Sequence, residues 1–136
     1  MTDTKSKIFI FSEDIDKYPY PESCPFKINR SSKTLAQLDS MGMLTGADYG
    51  QLKARPATRE QLLMFHTEEY INTIELASQG HFDIEFLAMG LGTGDCPVFK
   101  GLYENCLWAA GGTITAAEEI LNGNSNIAFH PAGGLH

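Results

Sequence analysis

The apolar positions of this chain alternate between two spacings. Lys7-Ile-Phe-Ile-Phe-Ser12 is a continuous β-branched and aromatic run. It predicts a strand buried on both faces, as parallel sheets require. Over 13–25, Pro19, Pro21 and Pro25 interleaved with Tyr18 and Tyr20 predict a loop of restricted backbone. Leu35, Leu38 and Met41 then recur at helical spacing, with Ser31 or Ser32 as cap and Gly42 as terminator. A weak alternation over 51–55, closed by Pro56, predicts an edge strand. Thr58-Arg-Glu-Gln61 is a capping box before a short helix with Leu62, Leu63 and Phe65 as its stripe. Thr67 caps a second helix whose Tyr70, Ile71, Ile74 and Ala77 face inward.

The longest helical repeat covers 98–122, through Phe99, Leu102, Cys106, Ile114, Ala117 and Leu121. Gly111 and Gly112 in its middle cost roughly 1 kcal/mol each in propensity, so close packing against a neighbouring backbone is expected there. Gly123 ends this helix, and Ile127, Ala128 and Phe129 read as a short buried strand. Strand, helix, strand, helices and strand in that order predict an α/β fold of three layers, α/β/α.

Composition narrows this picture only a little. At 136 residues the chain is one domain's worth, and 43% apolar content argues for a packed core. No window approaches the roughly 18 apolar residues of a membrane span, and the N-terminus has no signal-peptide core, so a cytoplasmic protein without membrane contact is expected. A net charge of −7, from 17 carboxylates against 10 Lys plus Arg, disfavours direct nucleic-acid binding. Such acidity suits a cationic substrate, and it also serves plain solubility. Cys24, Cys96 and Cys106 lack zinc-ribbon spacing and fit a reducing compartment.

Chemistry concentrates in two loops. Pro131, Gly133 and Gly134 stop the last strand and carry the chain to His136. Groups just past the carboxyl ends of parallel strands line ligand crevices, so His136 is an acid/base candidate as well as an ordinary loop histidine. Gly92-Thr-Gly-Asp-Cys-Pro97 is the second loop. It is no phosphate loop, because no strand precedes it and no Gly-Lys-Ser/Thr follows. Asp95 there reads as a cap of the long helix, with Pro97 in its first turn. His66 with Glu68 and Glu69 could be imagined as metal ligands, but the helix start explains both carboxylates.

These loops carry a family resemblance. Pro-Ala-Gly-Gly-Leu-His136 resembles the start of the Gly-Gly-Leu-His-His signature of the zinc-dependent histone deacetylases, ending at the first histidine of the pair. Gly-Leu-Gly-Thr-Gly-Asp-Cys-Pro-Val-Phe, from Gly90 to Phe99, is similar to that family's rim loop and looks closest to the bacterial acetoin-utilisation deacetylases. Cys24-Pro-Phe-Lys-Ile-Asn-Arg30 resembles the family's His-Pro-Met-Lys-Pro-His-Arg at Pro25, Lys27 and Arg30, and departs from it at Cys24 and Asn29.

The resemblance implies an arginase/deacetylase-like fold with a parallel sheet, of which residues 1–136 hold the first three strands in the order 2-1-3. They would be the N-terminal portion of a single deacetylase-like domain, truncated within the histidine motif. It implies that Asp95 binds the substrate backbone, that Arg30 lies by an acetate channel, that Gly133, Gly134 and Leu135 form a loop near the site, and that His136 is catalytic. Zinc is the cofactor of full-length members, and its ligands, the second histidine and the oxyanion tyrosine lie downstream. With no replacement set among His66, His81, His130 and the cysteines, and three ligands the usual minimum, no zinc is expected on this chain.

Two functions are expected on these grounds. One is the N-terminal segment of a metal-dependent deacetylase acting on acetyl-lysine or another acetylated amine, inactive as an isolated chain. The other is a non-catalytic module that forms homo-oligomers through the sheet edge exposed at the last strand.

Overall fold

A computed structural model describes residues 6–27 and 29–134. Lys7–Phe11 (β1), Tyr49–Lys53 (β2) and Ile127–Phe129 (β3) form a parallel sheet in the expected order, β2-β1-β3. β1 is central, with Ile8 opposite Gly50 on one side and Ala128 on the other. Its side chains therefore meet neighbours on both flanks, and Phe9 and Ile10 are buried. Five helices complete the order: Arg30–Ser40 (α1), Arg59–Leu63 (α2), Glu68–Ser78 (α3), Glu85–Ala88 (α4) and Leu102–Leu121 (α5).

Helix α5 runs against β1 and β3 with α3 beside it. Leu35 of α1 shares a hollow with Phe9 and Phe11. Ile74, Leu91 and Leu102 form a buried cluster, with Tyr70, Phe86 and Phe99 packed around it. The notch at Gly111 is real. A Cβ there would lie 2.0 Å from the Arg55 carbonyl oxygen and 2.3 Å from the Ala57 nitrogen. The stretch after β2 is docked in that notch by its own backbone. Arg55 N–H donates to Thr115 Oγ1 at 3.2 Å, and Ala57 N–H donates to the Leu107 carbonyl at 2.8 Å.

Several local expectations are corrected. β1 stops at Phe11, because Ser12 accepts from the Asp14 N–H and caps a 3-10 turn, Glu13–Lys17, within the proline loop. Neither Ser31 nor Ser32 caps α1. The N-cap is Asn29, held in the left-handed region at φ 62°, and Ser32 Oγ donates back to its carbonyl. β2 lies two residues earlier than the weak alternation suggested. The capping box of α2 forms, yet Phe65 lies beyond the helix and is 88% exposed. β3 is not buried, since Ile127 and Phe129 are both more than half exposed. Finally, α5 begins at Leu102 behind Gly101 at φ 87°, so Asp95 does not cap it and Pro97 is not in its first turn. In contrast, Thr67 caps α3 as expected, accepting from the Tyr70 N–H, and Ile71, Ile74 and Ala77 are buried.

Candidate functional site

Past the carboxyl ends of β1 and β3 opens a cleft of about 650 Å³. This is where parallel sheets place their ligands. Three segments wall it: the proline loop through Tyr18 and Tyr20, the start of α1 through Arg30 and Ser31, and the stretch after β3 through His130, Gly133 and Gly134. Asn105 and Ala109 of α5 form the back.

Each wall is fixed by local chemistry. Asn105, buried in α5, donates from Nδ2 to the Tyr18 carbonyl at 2.8 Å. The Tyr18 ring rests on Gly101, where a Cβ would meet Cδ1 at 2.7 Å. Glycine there supplies both the positive φ of the helix start and the room for the ring. Tyr20 tilts against Phe99 and Phe26 with ring centroids 5.0 and 6.4 Å away. Burial, reinforced by the nearby Cys106, Cys24 and Cys96 thiols, pushes its phenol up to about 12. Tyr20 is therefore neutral through the physiological range and offers an O–H. Lys27 donates to the carbonyls of Glu22 at 2.9 Å and Cys24 at 3.2 Å, closing the turn ahead of α1.

The residues singled out from the sequence are distributed unevenly. Arg30 is the first residue of α1 and lines the cleft. Gly133 and Gly134 line it as well, whereas Leu135 and His136 lie outside the described residues. Asp95 is exposed in the loop before α5 and is not among the residues lining the cleft. That loop closes on itself through Gly92 N–H to the Cys96 carbonyl at 2.9 Å and Cys96 N–H to Thr93 Oγ1 at 3.1 Å, leaving the Asp95 carboxylate at its tip. His66 sits between Phe65 and Tyr70, ring centroids 4.9 and 5.3 Å away, as a packing residue.

His130 and Asn105 were not singled out for this cleft. His130 follows β3 directly, so the rule that selects His136 points to it equally. Its ring lies over Gly112, where a Cβ would be 2.1 Å from Nε2, and Nδ1 is 3.3 Å from Thr113 Oγ1. Burial holds the imidazole below its ordinary value. Nothing in its sequence context distinguishes Asn105 from any polar residue on a helix. Among the described residues no group of three His, Cys, Asp or Glu side chains could hold a metal ion. They do not fit zinc by themselves.

Residues 24–136 match the histone deacetylase domain. The chain belongs to the histone deacetylase family. It is 34% identical over 134 residues to the acetoin utilization protein AcuC of Bacillus subtilis, covering 97% of this chain and 34% of that protein. To the histone deacetylase RPD3 of Saccharomyces cerevisiae it is 29% identical over 138 residues, covering 99% of this chain and 31% of that one. Among solved structures, an HDAC homolog from Aquifex aeolicus superimposes with a TM-score of 0.78 at 37% identity, over 96% of this chain and 34% of that chain. An HDAC homolog complexed with SAHA gives the same values. The three-stranded parallel sheet is thus part of a deacetylase, arginase-like fold, and the chain spans about a third of the length of these relatives.

Proposed function

We propose that this chain is the N-terminal segment of a metal-dependent deacetylase that hydrolyses acetyl-lysine or a related acetylated amine. The observation that carries the reading is the match of residues 24–136 to the family domain, together with a cleft at the carboxyl rim of the sheet walled by Arg30 and the glycines leading to His136. In this reading Asp95, exposed at its loop tip, accepts hydrogen bonds from the substrate backbone. Such charged contacts are worth about 1.5–3 kcal/mol each. Arg30 meets the departing acetate and His136 takes up a proton. The family's further zinc ligands lie downstream of the histidine motif, and in this reading the 136-residue chain alone neither binds zinc stoichiometrically nor turns over.

Reading the encoding DNA past codon 136 tests this. A second histidine followed by Asp-x-His supports the reading, and unrelated sequence removes it. In the longer protein, Asp95→Ala lowers kcat/KM for an acetyl-lysine peptide by about one to two orders of magnitude. Zinc bound one-to-one with turnover by the 136-residue chain would refute the assignment of inactivity.

One observation favours a second reading, a non-catalytic module that self-associates. β3 pairs with β1 on one side, and its Ile127 and Phe129 are 56% and 52% exposed. Bare strand edges recruit further strands. Light scattering on the 136-residue chain then reports a dimer or larger, and a monomer at high concentration rejects it.

A further inference from the structure

His130 occupies an unusual seat. It is the first residue after β3, it is partly buried, and it lines both the cleft and a small hollow shared with Phe11, Ser12, Ile15 and Trp108. Below the ring is Gly112, buried in α5, and any side chain there would collide with Nε2, Cε1 and Cδ2 alike. Beside it Thr113 Oγ1 lies 3.3 Å from Nδ1, the one side-chain hydrogen-bond partner of the ring among the described residues.

We propose that His130 is a latch: its ring, seated on Gly112 and tied to Thr113, fixes the chain where it leaves β3, and protonation of the ring frees residues 131–134 and widens the cleft that they wall.

The surroundings argue for release rather than tolerance. A charged imidazole needs hydration or an anion, and this seat offers a hydroxyl and helix carbon. The charged side chains that share the cleft with His130 are Asp16 from the 3-10 turn and Lys27 and Arg30 at the entry to α1. They stand on other walls of the cleft, and it is burial of the ring that opposes its charged form. The packed residues of α5 and those lining the small hollow contribute none. Burial already holds the imidazole low, in agreement with this geometry. A ring whose closed-state pKa is depressed favours the closed loop above the ordinary imidazole value of about 6.5. That preference is lost as the pH falls from there through the closed-state value. Residues 131–134 wall the cleft, so the device changes its width whatever reaction the family chemistry performs there.

NMR titration of the 136-residue chain between pH 8 and about pH 4.5 tests the latch, with no activity readout required. The amides of Ala132, Gly133 and Gly134 are expected to titrate together with the His130 imidazole, at a midpoint below about 6.5. After correction for intrinsic rates, their hydrogen exchange should accelerate about tenfold for each unit by which that midpoint is depressed. In His130→Gln, which keeps a polar partner for Thr113 without a titrating ring, the three amides stay flat. Gly112→Ala evicts the ring and returns the His130 midpoint to about 6.5. The proposal is overturned if the amides stay constant through the wild-type His130 titration, or if they move equally in His130→Gln. Should that variant fold poorly, the wild-type co-titration decides by itself.

Discussion

Gly111 shows how one missing side chain can be worth more than the helix propensity it forfeits. Alanine would gain about 1 kcal/mol in an isolated helix. Here its methyl group would sit 2.0 Å from the Arg55 carbonyl oxygen, which belongs to backbone and cannot swing away. Overpacking of this kind typically costs about 1–3 kcal/mol. Chemical denaturation of Gly111→Ala should show a net loss of that order, while Gly94→Ala, with nothing within 4 Å of the added carbon, should be near neutral. Asp14 makes a second point at this scale. A hydrogen bond from Lys17 foremost, then those from Lys53 and Ser12, hold its carboxyl well below the usual carboxylate range. Its folded-state pKa is depressed, so the interaction is complete above the ordinary aspartate value of about 3.9 and fades only as the pH falls through the lower, folded value. NMR at about pH 3 should find Asp14 still ionised when ordinary aspartates are largely protonated.

Among the elements, capping separates what the residues announce from what they conceal. Thr58 and Thr67 announce their helices, because a hydroxyl two or three residues ahead of a free N–H can serve only that end. Thr67→Ala should lower stability by about 1 kcal/mol in thermal unfolding. Ser32→Ala should change it little, since that hydroxyl is exposed and donates backward to the Asn29 carbonyl instead of capping α1. The start of α1 was illegible because it depends on a left-handed Asn29, and a run of Asn-Arg-Ser-Ser offers several plausible caps. Sequence periodicity sets the start of α5 too early for a related reason. Val98 and Phe99 continue the apolar spacing of the helix but pack from a loop onto the Ile74 cluster, so periodicity reported burial and not conformation. β1 is plain because its unbroken apolar run is what a strand covered on both faces requires, and both α5 and Leu35 of α1 meet it.

For the molecule as a whole, sheet order and family were legible from short motifs. The cleft was legible only in part. Arg30 and the glycines that line it carried motif signals. His130 and Asn105 work through contacts with α5 residues such as Thr113 or with Tyr18, far off in sequence, and no local pattern encodes those. Among the described residues β3 pairs on one flank only, a property at this scale too. If self-association uses it, Ile127→Lys should move the light-scattering mass toward the monomer, because charged edge residues discourage strand pairing.

The paired glycines of α5 set a rule for the length of that helix. Gly111 receives the main chain leaving β2, and Gly112 receives the imidazole leaving β3, so two separate crossings are keyed to adjacent positions. One residue added between Leu102 and Gly111 would rotate those keys by about 100° relative to the helix start. Both crossings would lose their seats at once. Extra residues after Gly123 would lengthen only a connection, so variation in chain length should be tolerated at that end of the helix and refused at the other.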